Sequence, residues 1–217
     1  MIGNSIPVIY CDGNHFNNGA RIQIIAECVA DKLLPLVPGA ANIITFDGFD
    51  GVGKSTLAQP LAKVLGLPLI GLDRFLESDQ DKYLDALKLD ELKGAICNRL
   101  RSGGRVIIEG CMIDAALERL CKVADCRIYV MQISDPESFG DIEWVTKYDV
   151  LYGDQSADEL IAKLDERREG LAMRLSELFG DDESGYIGTS GLERELIYYH
   201  KKFRPHDSAN IIIKMKV

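Results

Sequence analysis

The residues best suited to chemistry in this chain form one glycine-rich segment. Residues 48–55 read Gly-Phe-Asp-Gly-Val-Gly-Lys-Ser, which fits the pattern G-x-x-x-x-G-K-[ST] without a mismatch. Its glycines let the backbone turn tightly and bring N–H groups close to an anion. Lys54 adds a point charge, and the Ser55 hydroxyl is suited to ligate Mg²⁺. The segment predicts a phosphate-binding loop, with contacts from Gly48, Asp50, Gly51, Val52, Gly53, Lys54, Ser55 and the following Thr56.

The residues on either side of the loop support this prediction. An apolar run at residues 42–46 ends directly before it, and Leu57, Leu61 and Leu65 follow with helical spacing. A strand, a glycine loop and a helix in this order place backbone N–H groups at a helix N-terminus, which is an anion site. The alternative is a glycine turn that carries Lys and Ser by chance.

Two carboxylates follow other predicted strands. Asp73 comes just after the apolar segment 67–72, and Glu109 ends the run 105–108. The carboxyl ends of the strands form the ligand-binding edge of an open α/β sheet. Asp73 is expected to accept the proton of a substrate hydroxyl or to hold Mg²⁺ through water, with a helix N-cap or a surface acid as the alternative. Glu109 is expected to contact Mg²⁺ through water, with a salt bridge to a basic residue as the alternative, because an unpaired buried charge is costly.

A later helix combines leucines with arginines. Between residues 155 and 179 a leucine stripe has helical spacing, with Arg167 inside it and Arg168 at its edge. Arginines on an apolar face need anionic partners or must extend to solvent. One prediction is a helical lid at about residues 150–180 whose Arg167 and Arg168 neutralise charge on transferring phosphate. The other is exposed pairing with nearby acids on the same helix.

The elements that must position these groups alternate along the chain. Strands are predicted near residues 6–11, 42–46, 67–72, 105–108, 127–133 and 209–213, with helices between most of them and over most of 136–203. Four of the strands are short apolar runs, which indicates a parallel sheet covered on both faces. The alternation predicts a doubly wound α/β sheet. Residues 1–40 are expected to form a strand–helix extension packed on the main domain at 41–217, or a homodimer contact.

Composition narrows the class of protein. The chain has 217 residues, 34 acidic and 25 basic side chains and a formal net charge of -9, which argues against nonspecific binding of nucleic acid or anionic membranes. The six cysteines form no C-x-x-C pair and are expected to be buried free thiols in a reducing compartment. No leader segment and no apolar run of about 18 residues is evident, so a cytoplasmic protein is expected.

Several landmarks resemble a known group of enzymes. The segment 44–56 resembles the phosphate loops of nucleoside and nucleotide kinases. The acids Asp73 and Glu109, each at a strand end, and a Pro205-containing loop before the last strand resemble the uridine kinase and pantothenate kinase branch. This resemblance implies the P-loop kinase fold, ATP and Mg²⁺ as cofactors, and transfer of the γ-phosphate to a hydroxyl of a small molecule, nucleoside-like or pantothenate-like. It also implies that Asp47 or Asp50 could replace Asp73 as the base.

Two other functions stay open on the sequence. A nucleotide kinase would take a phosphate acceptor, for which Arg74, Arg99 or Arg101 could supply the positive charge. A nucleotide-dependent switch or sensor would bind ATP without catalysing transfer. The chain has no N-K-x-D guanine motif, which disfavours a GTP-dependent version.

Overall fold

The structure of the protein is a computed structural model, which describes residues 6–12, 19–77, 82–101, 103–133, 150–179 and 189–216. The chain divides into two compact units. The first comprises Met1–Ser138 with Pro205–Val217, and the second comprises Phe139–Arg204. Residues 136–149 and 180–188 of the predicted helical range lie outside the described residues. None of the helices that the structure describes is long and apolar enough to cross a membrane.

A parallel sheet forms the centre of the first unit. Its six strands are β1 Val8–Asp12, β2 Ile43–Asp47, β3 Leu69–Gly71, β4 Val106–Glu109, β5 Cys126–Ile133 and β6 Ile211–Lys216. They lie in the order β1-β6-β5-β2-β4-β3, and every neighbouring pair is parallel. The predicted parallel α/β sheet is therefore confirmed.

Helices connect the strands. In the first unit they are α1 Gly19–Leu33, α2 Lys54–Leu65, α3 Tyr83–Ala86, α4 Leu89–Arg101 and α5 Ile113–Arg119, with a 3-10 helix at Leu72–Phe75. The second unit contains α6 Ala157–Phe179 and α7 Gly191–Phe203 among its described residues. The α7 helix begins with a capping box, in which Ser190 and Glu193 each accept a hydrogen bond from the backbone N–H of the other.

The central strands are buried on both faces. All five residues of β2 are buried, as are Val106, Ile107 and Ile108 of β4. Val106 and Ile108 belong to a core cluster that also contains Ile96 of α4 and Ile113 of α5. Ile107 points to the opposite face because strand side chains alternate, and α2 packs against β2, β3 and β4. The short apolar runs in the sequence thus correspond to strands covered on two sides.

The N-terminal residues contribute to the first unit. β1 pairs with β6 at the edge of the sheet, from Val8 opposite Ile212 to Asp12 opposite Lys216. The α1 helix packs against α2 and β1. The predicted strand and helix are therefore present in residues 1–40, and the proposed domain boundary at residue 40 stays a prediction.

The cysteines differ in their exposure. All six thiols are free, and Cys11, Cys111 and Cys126 are buried. Cys28 and Cys121 are exposed, so the expectation of buried thiols is wrong for these two. Cys121 follows the C-terminal end of α5 with a φ of 53°, where the chain leaves the core.

Candidate active site

The glycine-rich loop follows β2, the strand at which the strand order of the sheet reverses. From β2 the chain goes to β3 and β4 on one side and later to β5 and β6 on the other. The loop connects the carboxyl end of β2 to the N-terminus of α2. In open α/β sheets, ligands bind in the crevice at such a switch point. The topology therefore places the loop where a ligand site is expected.

Close packing fixes the shape of the loop. A Cβ atom on Gly48 would lie 2.2 Å from the carbonyl oxygen of Val130 on β5, so no other residue fits this position without a shift of backbone. Gly53 precedes α2 with a φ of 87°, in the left-handed region that favours glycine. Gly53 is the N-cap residue and has no side chain that could cap this end of the helix. The first N–H groups of α2 are consequently available to an anion.

The Lys54 ammonium group lies inside the loop. Its side chain is buried, with 7% of its surface exposed. Nζ donates a hydrogen bond of 2.6 Å to the carbonyl oxygen of Phe49 and contacts Sγ of Cys111 at 3.3 Å. Burial raises the pKa of the Cys111 thiol to about 11, and the charge of Lys54 opposes this rise. At neutral pH the thiol is thus an uncharged neighbour of the lysine.

Ser55, in the first turn of α2, contacts Glu109 at the end of β4. The Ser55 hydroxyl donates a hydrogen bond of 2.8 Å to Oε2 of Glu109. Glu109 ends β4 and is paired in register with Phe46 of β2 and Gly71 of β3. A Cβ atom on Gly71 would lie 2.7 Å from Oε1 of Glu109, so the glycine provides room for the carboxylate. The Glu109 carboxylate thus contacts a hydroxyl group. The alternative considered from the sequence was a salt bridge between Glu109 and a basic residue.

Asp73 is held by a tyrosine that the sequence did not indicate. It lies in the 3-10 helix that follows β3, and its side chain is exposed. The Tyr83 hydroxyl donates a hydrogen bond of 2.8 Å to Oδ1 of Asp73. The N-cap of this helix is Gly71, which excludes the N-cap role for Asp73. No periodicity or motif marks Tyr83 in the sequence, because its contact arises from the path of a loop.

The two acids beside the loop contact its backbone. Oδ1 of the buried Asp47 accepts a hydrogen bond of 2.7 Å from the N–H of Gly48. Oδ1 of the exposed Asp50 accepts one of 2.9 Å from the N–H of Gly51. Such contacts stabilise tight turns, which agrees with the turn-stabilising alternative for Asp50. The choice of base among Asp47, Asp50 and Asp73 stays a prediction.

The arginines predicted for a lid lie in the second unit. Arg168 on α6 makes a bidentate ion pair with Glu193 on α7, at 3.0 and 2.7 Å. This pairing lowers the pKa of the Glu193 carboxyl. Asp165, one turn earlier, accepts hydrogen bonds from the N–H and hydroxyl of Thr189. Arg167 is half-buried on the same helix. The role of Arg167 and Arg168 in phosphate binding stays a prediction.

Comparison with known proteins gives limited matches. No protein-family model matches the chain. Two curated shikimate kinases, from two strains of Thermus thermophilus, are each 49% identical over 41 residues, 19% of this chain. The chain spans 22% of the length of these relatives.

Solved structures give a broader but weaker likeness. A possible uridine kinase from Bacillus stearothermophilus has a TM-score of 0.45 and 10% identity, covering 90% of this chain and 100% of that one. A shikimate kinase from Bacteroides thetaiotaomicron has a TM-score of 0.31 and 18% identity, covering 80% and 85%. The parallel sheet with a phosphate loop at its switch point has the architecture of a P-loop kinase. The two curated relatives, both shikimate kinases, agree with the resemblance to P-loop small-molecule kinases.

Proposed function

We propose that this protein is an ATP-dependent kinase that transfers the γ-phosphate of ATP to a hydroxyl group of a small molecule. The proposal rests on one observation, which is the order of the functional groups at the carboxyl ends of three neighbouring strands. Lys54 and Ser55 follow β2, Glu109 ends the neighbouring β4, and Asp73 follows β3 beyond it. This order supports phosphate binding, metal binding and acceptor activation at three consecutive strand ends.

The residues present fit Mg·ATP. The N–H groups at the start of α2 suit phosphate oxygens, and the oxygens of Ser55 and Glu109 are ligands that Mg²⁺ prefers. Within the described residues no group of three or more His, Cys, Asp or Glu side chains could hold a metal ion. Ser55 and Glu109 would therefore share the ion with phosphate oxygens and water. When bound, Mg²⁺ would neutralise negative charge on the phosphates.

Each residue has a task in this proposal. The sulfur of Cys111 is a weak acceptor, so an anionic phosphate oxygen can replace it as the partner of the Lys54 ammonium. The loop N–H groups hold the phosphates in line with the acceptor, and Asp73 receives the proton of the acceptor hydroxyl. Most of the rate acceleration would come from positioning and electrostatic stabilisation.

A coupled ADP-release assay tests the proposal. Mg·ATP is incubated with separate pools of nucleosides, nucleotides, pantothenate-like alcohols and shikimate, the last because two relatives are shikimate kinases. We expect one pool to raise ADP release well above the rate without acceptor. Lys54→Ala should lower that rate by about 10²–10³-fold. Lys63→Ala, on the exposed side of α2, is the matched control and should retain it.

A nucleotide kinase is the second candidate, and the position of one arginine favours it. Arg74 is exposed directly beside Asp73, where it could contact an acceptor phosphate. Arg99 instead lines a pocket with Pro68 and Leu69 at the amino end of β3, away from the strand end that carries Asp73. Stimulation by the nucleotide pool alone, lost in Arg74→Ala, would favour this candidate. Tight ATP binding without stimulation by any pool would favour the switch or sensor.

A further inference from the structure

We propose that Tyr83 is a positioning residue that holds the Asp73 carboxylate toward the phosphate acceptor, an inference that rests on the proposed kinase function. The phenol donates to Oδ1 of Asp73 at 2.8 Å. Asp73 is exposed, whereas Tyr83 is half-buried. The phenol of Tyr83 therefore restrains an Asp73 side chain that would otherwise be free to move in solvent. With Oδ1 engaged, Oδ2 is the oxygen that accepts the proton of the acceptor hydroxyl.

The segment that carries Tyr83 is anchored on both sides. An antiparallel bridge joins Leu76 to Leu87. Two backbone hydrogen bonds of 2.8 Å flank it, from Glu77 N–H to Ala86 and from Lys88 N–H to Phe75. These contacts tie the segment after Tyr83 to the residues that follow Asp73. These backbone contacts consequently help to fix the distance between the phenol and the carboxylate, which does not depend on the two side-chain conformations alone.

Arg119 of α5 provides a further anchor. Its guanidinium donates to the carbonyl oxygen of Leu84 at 2.6 Å and to Oδ1 of Asp85 at 3.0 Å. Tyr83 and Leu84 also pack against the core cluster that α4 and α5 share. The α3 turn is therefore fixed to the body of the first unit, and the Tyr83 ring is fixed with it.

The surroundings of Tyr83 keep its phenol protonated. Burial raises the pKa of the Tyr83 phenol well above its usual range, and the hydrogen bond to Asp73 raises it further, while the Cys111 main chain opposes the shift. A protonated phenol can donate to a carboxylate at neutral pH. Cys111 also contacts Lys54 through its thiol. One short loop after β4 thus borders both the phenol and the lysine of the phosphate loop.

This arrangement would set the geometry of the transfer step. The acceptor oxygen forms a bond to the γ-phosphorus, and the bond between that phosphorus and the bridging oxygen of ADP breaks. The acceptor proton passes to Oδ2 of Asp73, and Tyr83 keeps its own proton. A misplacement of about 1 Å in such a group can lower a rate by up to about 100-fold.

A double-mutant cycle tests the inference on the acceptor pool that stimulates the wild type. The variants are Tyr83→Phe, Asp73→Ala and the combination, with kcat and KM measured for both substrates. We expect Tyr83→Phe to lower kcat by about 10-fold with little change in KM for ATP. The combined variant should be no slower than Asp73→Ala, because without the carboxylate the phenol has nothing to position.

A matched control exists in the second unit. Tyr198 on α7 also donates a phenol hydrogen bond to an aspartate, Asp158. Tyr198→Phe removes the same kind of contact and should leave kcat unchanged. If Tyr83→Phe lowers the thermal midpoint by more than about 5 °C, Arg119→Met replaces it, since this change releases the α3 turn without altering the Tyr83 phenol chemically. It should lower kcat at constant KM for ATP.

Three outcomes would overturn the inference. They are an unchanged kcat in Tyr83→Phe, an unchanged kcat in Arg119→Met where that variant is used, and equal losses from Tyr83→Phe in the wild-type and Asp73→Ala backgrounds. Each of these leaves the proposed kinase function intact. A wild-type protein that releases no ADP with any pool would instead overturn the proposed function, and the inference with it.

Discussion

The Ser55 hydroxyl donates a hydrogen bond of 2.8 Å to Oε2 of Glu109, a residue 54 positions later in the chain. The contact exists because β2 and β4 are parallel neighbours whose carboxyl ends coincide, with Phe46 opposite Glu109. It brings a hydroxyl and a carboxylate together beside the phosphate loop. These two oxygens are the ligands of the proposed magnesium site, because Mg²⁺ prefers oxygen ligands.

Glu109→Gln should weaken the response to magnesium. The amide keeps the size of the side chain and can still accept from Ser55, but it lacks the negative charge that attracts a divalent cation. We expect the Mg²⁺ concentration for half-maximal turnover to rise by about 10–100-fold, measured by titrating Mg²⁺ at fixed ATP. Glu91→Gln, on the exposed side of α4, is the control. An unchanged Mg²⁺ requirement in Glu109→Gln would contradict the assigned role.

Gly71→Ala should impair the same contact without removing either partner. The added Cβ would lie 2.7 Å from Oε1 of Glu109, and the end of that flexible side chain can move away. We expect turnover to fall while the protein remains folded. Gly94→Ala in α4 is the matched control, because nothing lies within 4 Å of its added Cβ. That control should stabilise the helix by roughly 0.5–1 kcal/mol and keep full turnover. Full turnover in Gly71→Ala would show that the Glu109 position is not critical.

The exposed cysteines should react with thiol reagents faster than the buried ones. At pH 8, a thiol with a pKa of about 11, as for Cys111 and Cys126, is ionised in roughly one molecule in a thousand. Burial also raises the pKa of Cys11. We expect a disulfide reagent to modify Cys28 and Cys121 quickly and these three slowly, with mass spectrometry identifying the sites. Modification of Cys111 as fast as Cys121 would contradict the buried position beside Lys54.

Sequence patterns predicted some of these residues and missed others for a physical reason. Lys54 and Ser55 belong to a contiguous motif, and Glu109 ends an apolar strand, so local sequence was enough to place them. Tyr83 and Cys111 were not predicted, because their contacts depend on loops whose conformations leave no periodic signal. The partner of Arg168 was also not predicted, since Glu193 lies 25 residues away on another helix.

The same distinction applies to the sheet. Apolar runs predicted the strands and their burial, because both depend on local hydrophobicity. The pairing of β1 with β6 joins residues near opposite ends of the chain, such as Val8 and Ile212. The pairing of these two strands depends on tertiary packing, so neither segment alone could predict it.

The second unit should lose stability in acid. The ion pair with Arg168 lowers the pKa of Glu193 in the folded protein. The carboxylate therefore stabilises the fold above the ordinary glutamate pKa of about 4.3, and this contribution is lost as the pH falls below that value. The pair is partly exposed, so the effect should be about 1 kcal/mol or less. Thermal unfolding between pH 7 and pH 3.5 should show a smaller acid dependence in Glu193→Gln, and an identical dependence would contradict this assignment.

Transfer of phosphate from ATP to an acceptor can be followed with labelled ATP. The wild type is incubated with Mg²⁺, ATP carrying a radioactive γ-phosphate, and the acceptor pool that stimulates ADP release, and the products are separated by chromatography. We expect label to leave ATP and to appear covalently bound to an acceptor, in an amount equal to the ADP whose release the acceptor stimulates. Label found only in ATP or in inorganic phosphate would contradict this expectation.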